Sequence, residues 1–149
     1  MKIEKYPLKA EDSFMVFEFV SEGPKGIVPK LIKFSETNLK GFYNLGFGDW
    51  NDKWLKIDDL AKSNNGDTNK IFATIATTIM EFNKYYPDAI IFAKGSTSAR
   101  TRKYQTEINK YLSVIEPVFE VFGSIKEQKW AQFQPGINYL SFIAIPKKL

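Results

Sequence analysis

Residues 94–103 are the part of the sequence whose residue types could do chemistry. They read Lys94-Gly95-Ser96-Thr97-Ser98-Ala99-Arg100-Thr101-Arg102-Lys103 and follow an apolar run at residues 89–93. A strand, a glycine, a hydroxyl cluster and a helix start, in that order, leave backbone N–H groups and the positive end of a helix dipole at one edge of a sheet. The stretch therefore predicts an anion-binding site made of Lys94, Gly95, Ser96, Thr97, Ser98, Arg100, Arg102 and Lys103.

The two arginines of this stretch are the only arginines in the chain, and the other 19 of its 21 basic residues are lysines. In such a chain, two close arginines suggest a task that needs a planar guanidinium, such as bidentate binding of a phosphate. Helical periodicity places Arg100 beside the apolar stripe of the following helix and turns Arg102 away from it. We therefore expect Arg100 to belong to the anion site and Arg102 to be a peripheral charge.

Three interpretations of the stretch stay open. In the first, the protein is a binding module that holds an anion such as a phosphate of a nucleotide or nucleic acid. In the second, it is an enzyme of phosphate chemistry with Ser96 or Thr97 as nucleophile, but the nearby base, Lys94, would have to be desolvated to act. In the third, the loop only caps the helix, because it lacks the glycine and lysine spacing of a P-loop. The sequence favours binding over catalysis.

The composition excludes several kinds of site. The chain has no cysteine and no histidine, so disulfides, thiolate metal sites, the usual zinc sites and Ser-His-Asp or Cys-His catalysis are excluded. Five aspartates lie between residues 48 and 67, but their spacing does not fit a calcium-binding EF-hand loop, and solvated loop acids are the preferred interpretation. We therefore predict neither a metal nor a cofactor.

The length and the charge indicate the general class of the protein. A chain of 149 residues with 44% apolar residues suits one globular domain over residues 1–149. A net charge of +4 is weak evidence for a polyanionic partner. No apolar run approaches the length that spans a bilayer. We expect a soluble cytoplasmic protein without membrane contact, whose partner is a phosphate-bearing ligand or a nucleic acid; the oligomeric state stays open.

The first part of the chain reads as three antiparallel strands, at residues 14–20, 27–34 and 42–47, because these runs are rich in β-formers and separated by turn residues. Pro29 cannot donate to a ladder, which predicts that the second strand lies at an edge or carries a bulge. Residues 48–67 are the least regular part of the sequence.

The second part of the chain alternates helices with strands. Asp67 is expected to cap a helix that ends at Pro87, and its apolar positions follow helical spacing: Ile71, Ile75, Ile79, Phe82 and Tyr86. The uniformly apolar residues 89–93 predict a central strand with Ile91 fully buried. A second helix follows, with the apolar stripe Tyr104, Ile108, Tyr111, Leu112 and Ile115, and residues 118–125 and 137–145 end the chain as strands.

The order β-β-β-α-β-α-β-β predicts an α+β fold, a two-layer sandwich of a mostly antiparallel sheet with two helices on one face. Its first seven elements match the order of the ribonuclease H-like fold. Two-metal nucleases of that class need carboxylates on the first strand and at the end of the fourth. Here the first strand offers only Glu18, and the fourth is followed by Lys94 and Gly95. A metal-dependent nuclease is therefore disfavoured.

Several phrases carry a resemblance to a known family: Lys5-Tyr6-Pro7-Leu8, Gly41-Phe42-Tyr43-Asn44-Leu45-Gly46-Phe47-Gly48-Asp49, Asn65-Gly66-Asp67 and Gly95-Ser96-Thr97-Ser98-Ala99-Arg100-Thr101-Arg102. They resemble a small family of uncharacterised bacterial single-domain proteins, catalogued as a domain of unknown function. The resemblance runs over nearly the whole chain. It implies a bacterial origin and no particular activity, so it assigns no catalytic residue.

Overall fold

A computed structural model describes residues 4–51, 56–58, 66–94, 98–126 and 129–147, except for the side chains of residues 49–51, 56–58, 68 and 100. The strands are β1 (Lys9–Ala10), β2 (Val16–Gly23), β3 (Gly26–Glu36), β4 (Phe42–Asn51), β5 (Lys56–Asp58), β6 (Ile90–Ala93), β7 (Phe119–Lys126), β8 (Lys129–Gln132) and β9 (Ser141–Pro146). The helices are α1 (Thr68–Tyr85), α2 (Ser98–Lys110) and α3 (Leu112–Ile115).

The fold class is α+β with mostly antiparallel strand pairing, as the sequence predicts. All eight predicted elements are present in the predicted order, as β2, β3, β4, α1, β6, α2, β7 and β9. The additional elements in the described residues are short: β1, β5, α3 and β8 have between two and four residues. The region between residues 48 and 67 is therefore more regular than predicted, because β4 continues to Asn51 and pairs with β5.

The chain forms two compact units. The first unit consists of Met1–Ser35 and Gly46–Tyr86, and the second consists of Glu36–Leu45 and Pro87–Leu149. Both units are discontinuous in sequence. Strand β4 supplies its first residues to the second unit and the rest to the first.

In the first unit, helix α1 buries its apolar stripe together with the inward side chains of β2 and β3. The helix runs from Thr68 to Tyr85, as the spacing of its apolar residues and Pro87 predicts. Its stripe also includes Thr74 and Thr78, which are fully buried because their hydroxyls donate to backbone carbonyls four residues earlier. The largest fully buried side chains of this core are Phe17, Phe34, Phe82 and Ile32.

Strand β3 is not an edge strand, contrary to the prediction from Pro29. It lies between β2 and β4 in the strand order. The β2–β3 hairpin turns through two residues, so hydrogen-bonded and non-hydrogen-bonded pairs alternate from Gly23 opposite Gly26. Pro29, opposite Val20, falls on a non-hydrogen-bonded pair. The β2 ladder therefore loses no bond at the proline.

Asp67 occupies the N-cap position of α1, but its side chain makes no capping hydrogen bond. The predicted capping role of this side chain is therefore wrong. Its Oδ2 atom instead accepts hydrogen bonds from the Tyr6 hydroxyl and the Ser21 hydroxyl, each at 2.5 Å. The backbone N–H of Tyr6 donates to Thr74 Oγ1 at 2.8 Å, and the N–H of Glu22 donates to the Tyr6 hydroxyl at 3.0 Å. Burial, followed by the bond to Asp67, raises the pKa of Tyr6. Asp67 thus ties the N-terminal segment to β2 and α1.

Tyr6→Phe is expected to lower the free energy of unfolding by about 1 to 3 kcal/mol, because the half-buried Asp67 carboxylate loses one of its two donors and the Glu22 N–H loses its acceptor. Urea unfolding at neutral pH measures the change. Tyr86→Phe is the matched control, since its hydroxyl donates to the Ser13 carbonyl in an exposed position. Equal small losses for both variants would contradict the structural role given to Tyr6.

In the second unit, β6 is an interior strand of the order β4-β6-β9-β7-β8 and lies between β4 and β9. It runs parallel to β4 and antiparallel to β9, so Ile91 is opposite Tyr43 on one side and Ala144 on the other. Ile91 is 3% exposed. The predicted central placement and burial of this residue are confirmed.

Helix α2 and the short helix α3 pack their apolar stripe against β7, β9 and the segment before β9. Most of the predicted stripe is present in this core, where Tyr104, Ile108, Leu112 and Ile115 pack against Val121, Phe133, Tyr139 and Phe142. The last strand begins at Ser141 rather than at residue 137. The reason is that Tyr139 N–H donates to Gln105 Oε1 at 3.1 Å, and the Gln105 amide N–H donates to the Ile137 carbonyl. These residues bond to α2 instead of extending the strand.

The ring of Tyr139 lies directly against Gly123 of β7. A Cβ atom at position 123 would overlap the ring at three of its carbon atoms. Tyr139 is 4% exposed, and its hydroxyl accepts the N–H of Gln134 at 2.8 Å. The ring is therefore held in place, and only glycine fits beneath it.

Candidate functional site

The predicted anion site lies at the junction between β6 and α2 in the second unit. Lys94 follows directly after β6 and is exposed. Ser98 is the first residue of α2 and is also exposed. Residues 95–97 and the side chain of Arg100 lie outside the described residues, so their predicted roles stay predictions. Strand β6 ends before these residues and helix α2 begins after them, so the strand-to-helix order on which the prediction depends is present.

Two of the predicted site residues, Arg102 and Lys103, are adjacent and exposed on α2. Thr101 between Arg100 and Arg102 is 4% exposed and belongs to the buried side of the helix. The exposure of Arg102 agrees with its predicted position away from the apolar stripe. This face of α2 can attract an anion through long-range charge, but the exposed side chains do not by themselves form a pocket.

The charged residues next to the start of α2 in sequence are all positive. The first turn of the helix contains no acidic residue. Lys94, Arg100, Arg102 and Lys103 are its basic neighbours in sequence, and Glu107 is the first acid after Lys94. Acidic residues normally occupy a helix N-terminus because they stabilise the dipole.

Glu107 is a residue of α2 that the sequence reasoning did not single out. It is 8% exposed, and its Oε2 atom is buried without a hydrogen-bond partner. Burial raises the pKa of the Glu107 carboxyl, while Lys110 and Lys103 lower it by a smaller amount. The carboxylate in turn adds to the effect of burial in raising the pKa of Tyr111. The sequence spacing could have indicated this burial, because Glu107 lies three residues after Tyr104 and four residues before Tyr111, which both belong to the apolar stripe.

A buried carboxyl with a raised pKa is a potential proton carrier. Glu107, however, lies nine residues beyond the first residue of α2. At a rise of about 1.5 Å per residue, this separation corresponds to about 13 Å along the helix axis. Proton transfer needs hydrogen-bond distance or one bridging water. Glu107 therefore cannot act on an anion held at the start of α2.

Glu107→Gln is expected to raise the free energy of unfolding at pH 7 by about 1 kcal/mol, because it removes a buried charge that lacks a full set of partners. Since the folded state raises the pKa, the ionised carboxyl opposes folding above that pKa. The penalty disappears as the pH falls below the ordinary glutamate value of about 4.3. Thermal unfolding of both proteins between pH 4 and 8 measures the difference, with the exposed Glu116→Gln as control. A destabilised variant at pH 7 would show that the carboxylate has a favourable partner.

None of the helices in the described part of the chain combines the length and the apolar character that crossing a membrane requires. A family model matches residues 2–147, and its description is "Family of unknown function (DUF6934)". The match covers nearly the whole chain. Searches of curated proteins and of solved structures found no match.

Proposed function

The chain belongs to a family of unknown function. From its own residues, we propose that it is a binding module for a phosphate-bearing ligand. The proposed ligand is a nucleotide or a nucleic acid. Its phosphate is held at the start of α2 by backbone N–H groups and by Ser96, Thr97, Ser98 and Arg100, while Lys94, Arg102 and Lys103 add long-range attraction. We also propose that the protein is of bacterial origin and lies in the cytoplasm.

The observation that carries the proposal is that the charged residues near the start of the 13-residue helix α2 are all positive. Four basic residues and no acid lie between Lys94 and Thr106. The dipole of α2 and its first N–H groups favour a negative charge at the same place. Strand β6, which precedes the loop, is paired with a strand on each side.

The available side chains support binding rather than catalysis. A lysine acts as a base only when it is desolvated, whereas Lys94 is exposed. The buried acid of α2, Glu107, lies about 13 Å along the helix from its first residue, which is too far for proton transfer. Histidine and cysteine are absent from the chain. A hydroxyl at position 96 or 97 therefore has no base among these side chains.

Arg100→Lys is expected to weaken binding of inorganic phosphate and of a short single-stranded oligonucleotide by about tenfold, because lysine keeps the charge but loses the bidentate fork. Titration at about 50 and 200 mM salt measures the affinity and its salt dependence. Arg102→Lys is the matched control and should change the affinity by less than about twofold.

Equal small losses for the two variants would mean diffuse electrostatic attraction without a defined site. Absence of binding by the wild-type protein would mean that the loop only caps α2. Either result would overturn the proposed function.

A further inference from the structure

The sheet of the second unit has two faces that differ in burial. Helices α2 and α3 pack against one face, where Val121 and Phe142 are buried. Side chains alternate between the faces along each strand. The opposite face therefore holds Phe92, Ile143 and Phe122, which are neighbours on β6, β9 and β7 in the pairing register and are all half-buried. This second face, here called the outer face, is the more open of the two.

Trp130 extends over the outer face from the edge of the sheet. It is on β8, opposite Ser124 of β7, which is opposite Ser141 of β9. Its indole contacts the ring of Phe92 on β6, with the ring centres 6.2 Å apart. Strands β8 and β6 are three strand spacings apart in the sheet order, or about 14 Å. The indole therefore reaches across the two serines toward β6, which agrees with the burial of both serines.

The indole of Trp130 offers a flat surface to a ligand. Its inner side faces the short side chains of Ser124 and Ser141, yet the residue is 39% exposed, so the exposed part is its outer side. The ring of Phe92 stands at 79° to the indole. The two rings thus form a corner in which a planar aromatic group can stack on the indole and contact Phe92.

This corner lies at the same end of the sheet as the start of α2. Ala93 of β6 is opposite Phe142 of β9 in an antiparallel pair. One residue further along, Lys94 is level with Ser141 and hence with the row that contains Trp130. Because Lys94 connects β6 to the loop that leads into α2, the aromatic corner and the proposed anion site are neighbours within the second unit.

Positive charges lie on both sides of the indole. Lys94 is on the β6 side, whereas Lys126 and Lys129 are the last pair of β7 and β8. All three lysines are exposed. Glu120 is an acid on the outer face, but it lies about 13 Å away along β7. Glu127, in the turn between the two strands, is outside the described residues. An anionic chain that crosses the indole therefore meets lysines before and after it.

The separation of these lysines indicates the kind of ligand. The distance of about 14 Å between β6 and β8 corresponds to about four nucleotides at 3.4 Å per nucleotide, so a mononucleotide cannot reach both sides. A duplex hides the flat faces of its bases inside the stack. A single strand exposes them, and aromatic side chains in positively charged grooves are the usual means of binding such strands.

We propose that the outer face binds single-stranded nucleic acid, with one base stacked on Trp130 and against Phe92. The phosphates on one side of this base lie toward Lys94 and the start of α2, and those on the other side lie toward Lys126 and Lys129. This inference rests on the proposed function and narrows its ligand to a single strand. Since every base has a flat face, only a weak sequence preference is expected.

Fluorescence anisotropy with a labelled oligothymidylate of about eight nucleotides tests the inference on the full chain, at about 50 and 200 mM salt. Trp130→Ala is expected to weaken binding by about five- to hundredfold, as for the loss of one base–aromatic stack. Trp130→Phe keeps a smaller ring and should lose less. Ile125→Ala is the matched control, because it removes an exposed apolar side chain of β7, and it should change the affinity by less than about twofold.

Three unlabelled competitors separate stacking from charge. An abasic oligomer of the same length keeps the phosphates without the bases, so it should bind the wild-type protein and Trp130→Ala within about twofold of each other. A duplex of the same length should compete at least about tenfold more weakly than the single strand. Inorganic phosphate makes no stack and should bind both proteins equally. Circular dichroism verifies that each variant is folded.

The outcomes distinguish this inference from the proposed function. Equal affinity of the wild-type protein and Trp130→Ala for the labelled strand would overturn the inference, and the proposed function would stand if Arg100→Lys still weakened phosphate binding. A loss in Trp130→Ala without a loss in Arg100→Lys would overturn the proposed function and support the stacking surface. A wild-type dimer in sedimentation that Trp130→Ala abolishes, without binding of the labelled strand, would overturn the inference, because the outer face would then be covered by a second copy.

Discussion

Phe82→Ala is expected to lower the free energy of unfolding by about 3 to 5 kcal/mol. Phe82 is fully buried on α1, and its ring stacks on Phe34 of β3 at 4.0 Å with the planes almost parallel. It also stacks on Tyr86 at 4.8 Å. Removal of the ring leaves a cavity beside two aromatic side chains, so the transfer free energy and the packing contacts are lost together.

Chemical unfolding followed by circular dichroism measures this loss. Tyr85→Ala is the matched control, since this ring is on the same helix but 52% exposed, with its stack on Phe14 worth about 0.5 to 1.5 kcal/mol. Phe82→Leu should recover much of the stability because it refills most of the volume. A cost for Phe82→Ala no larger than that for Tyr85→Ala would contradict the packing described for the first unit.

Ile91→Ala is expected to destabilise the protein by about 2 to 5 kcal/mol. Ile91 is buried on the central strand β6, with paired strands on both sides. The backbone of a strand that is hydrogen-bonded at both edges cannot shift easily to fill the space left by the removed carbons.

Ile91→Val should lower the free energy of unfolding by about 0.5 to 1.5 kcal/mol. The series from Ile to Val to Ala therefore tests whether the loss of stability follows the side-chain volume removed. Ile125→Ala removes the same atoms from a 53% exposed position on β7 and should change stability by less than about 0.5 kcal/mol. Differential scanning calorimetry compares the variants. Equal effects at positions 91 and 125 would be inconsistent with a buried central strand.

The elements that could be predicted are those whose sequence pattern and tertiary surroundings agree. Helix α1 has apolar residues at helical spacing and a proline after its last turn, and it is present with nearly the predicted bounds. The apolar run before Lys94 predicts a central strand, and β6 is paired on both sides, with Ile91 buried and Ile90, Phe92 and Ala93 half-buried. In both cases the spacing of the hydrophobic residues agrees with the observed packing.

The errors lie where a long-range contact outweighs a local pattern. Asp67 has the residue type and position of a helix cap, yet its carboxylate binds Tyr6 and Ser21, which are far away in sequence. Residues 137–140 have the composition of a strand, yet the Gln105 side chain bonds to their backbone. Strand β8 is exposed along its whole length, so it has no hydrophobic alternation that could reveal it.

Less of the candidate site than of the fold was predictable. The position of the site between a central strand and a helix start follows from the pattern of residues 89–103, and Arg102 is exposed as its helical position predicts. The burial of Glu107 was not predicted, because an acid on the flank of an apolar stripe is usually solvated. A cavity between the segment from Tyr6 to Lys9 and strand β2 was not predicted either, because its lining residues come from parts of the chain that are distant in sequence.

The contact between Gly123 and Tyr139 also limits how this family can diverge. Any side chain at position 123 overlaps the ring, so a change from glycine is tolerated only after position 139 has become smaller. The reverse order passes through a clashing intermediate, which selection would remove. Relatives that carry a larger residue at position 123 should therefore carry a residue without a ring at position 139, and the two substitutions should have been acquired in that order during evolution.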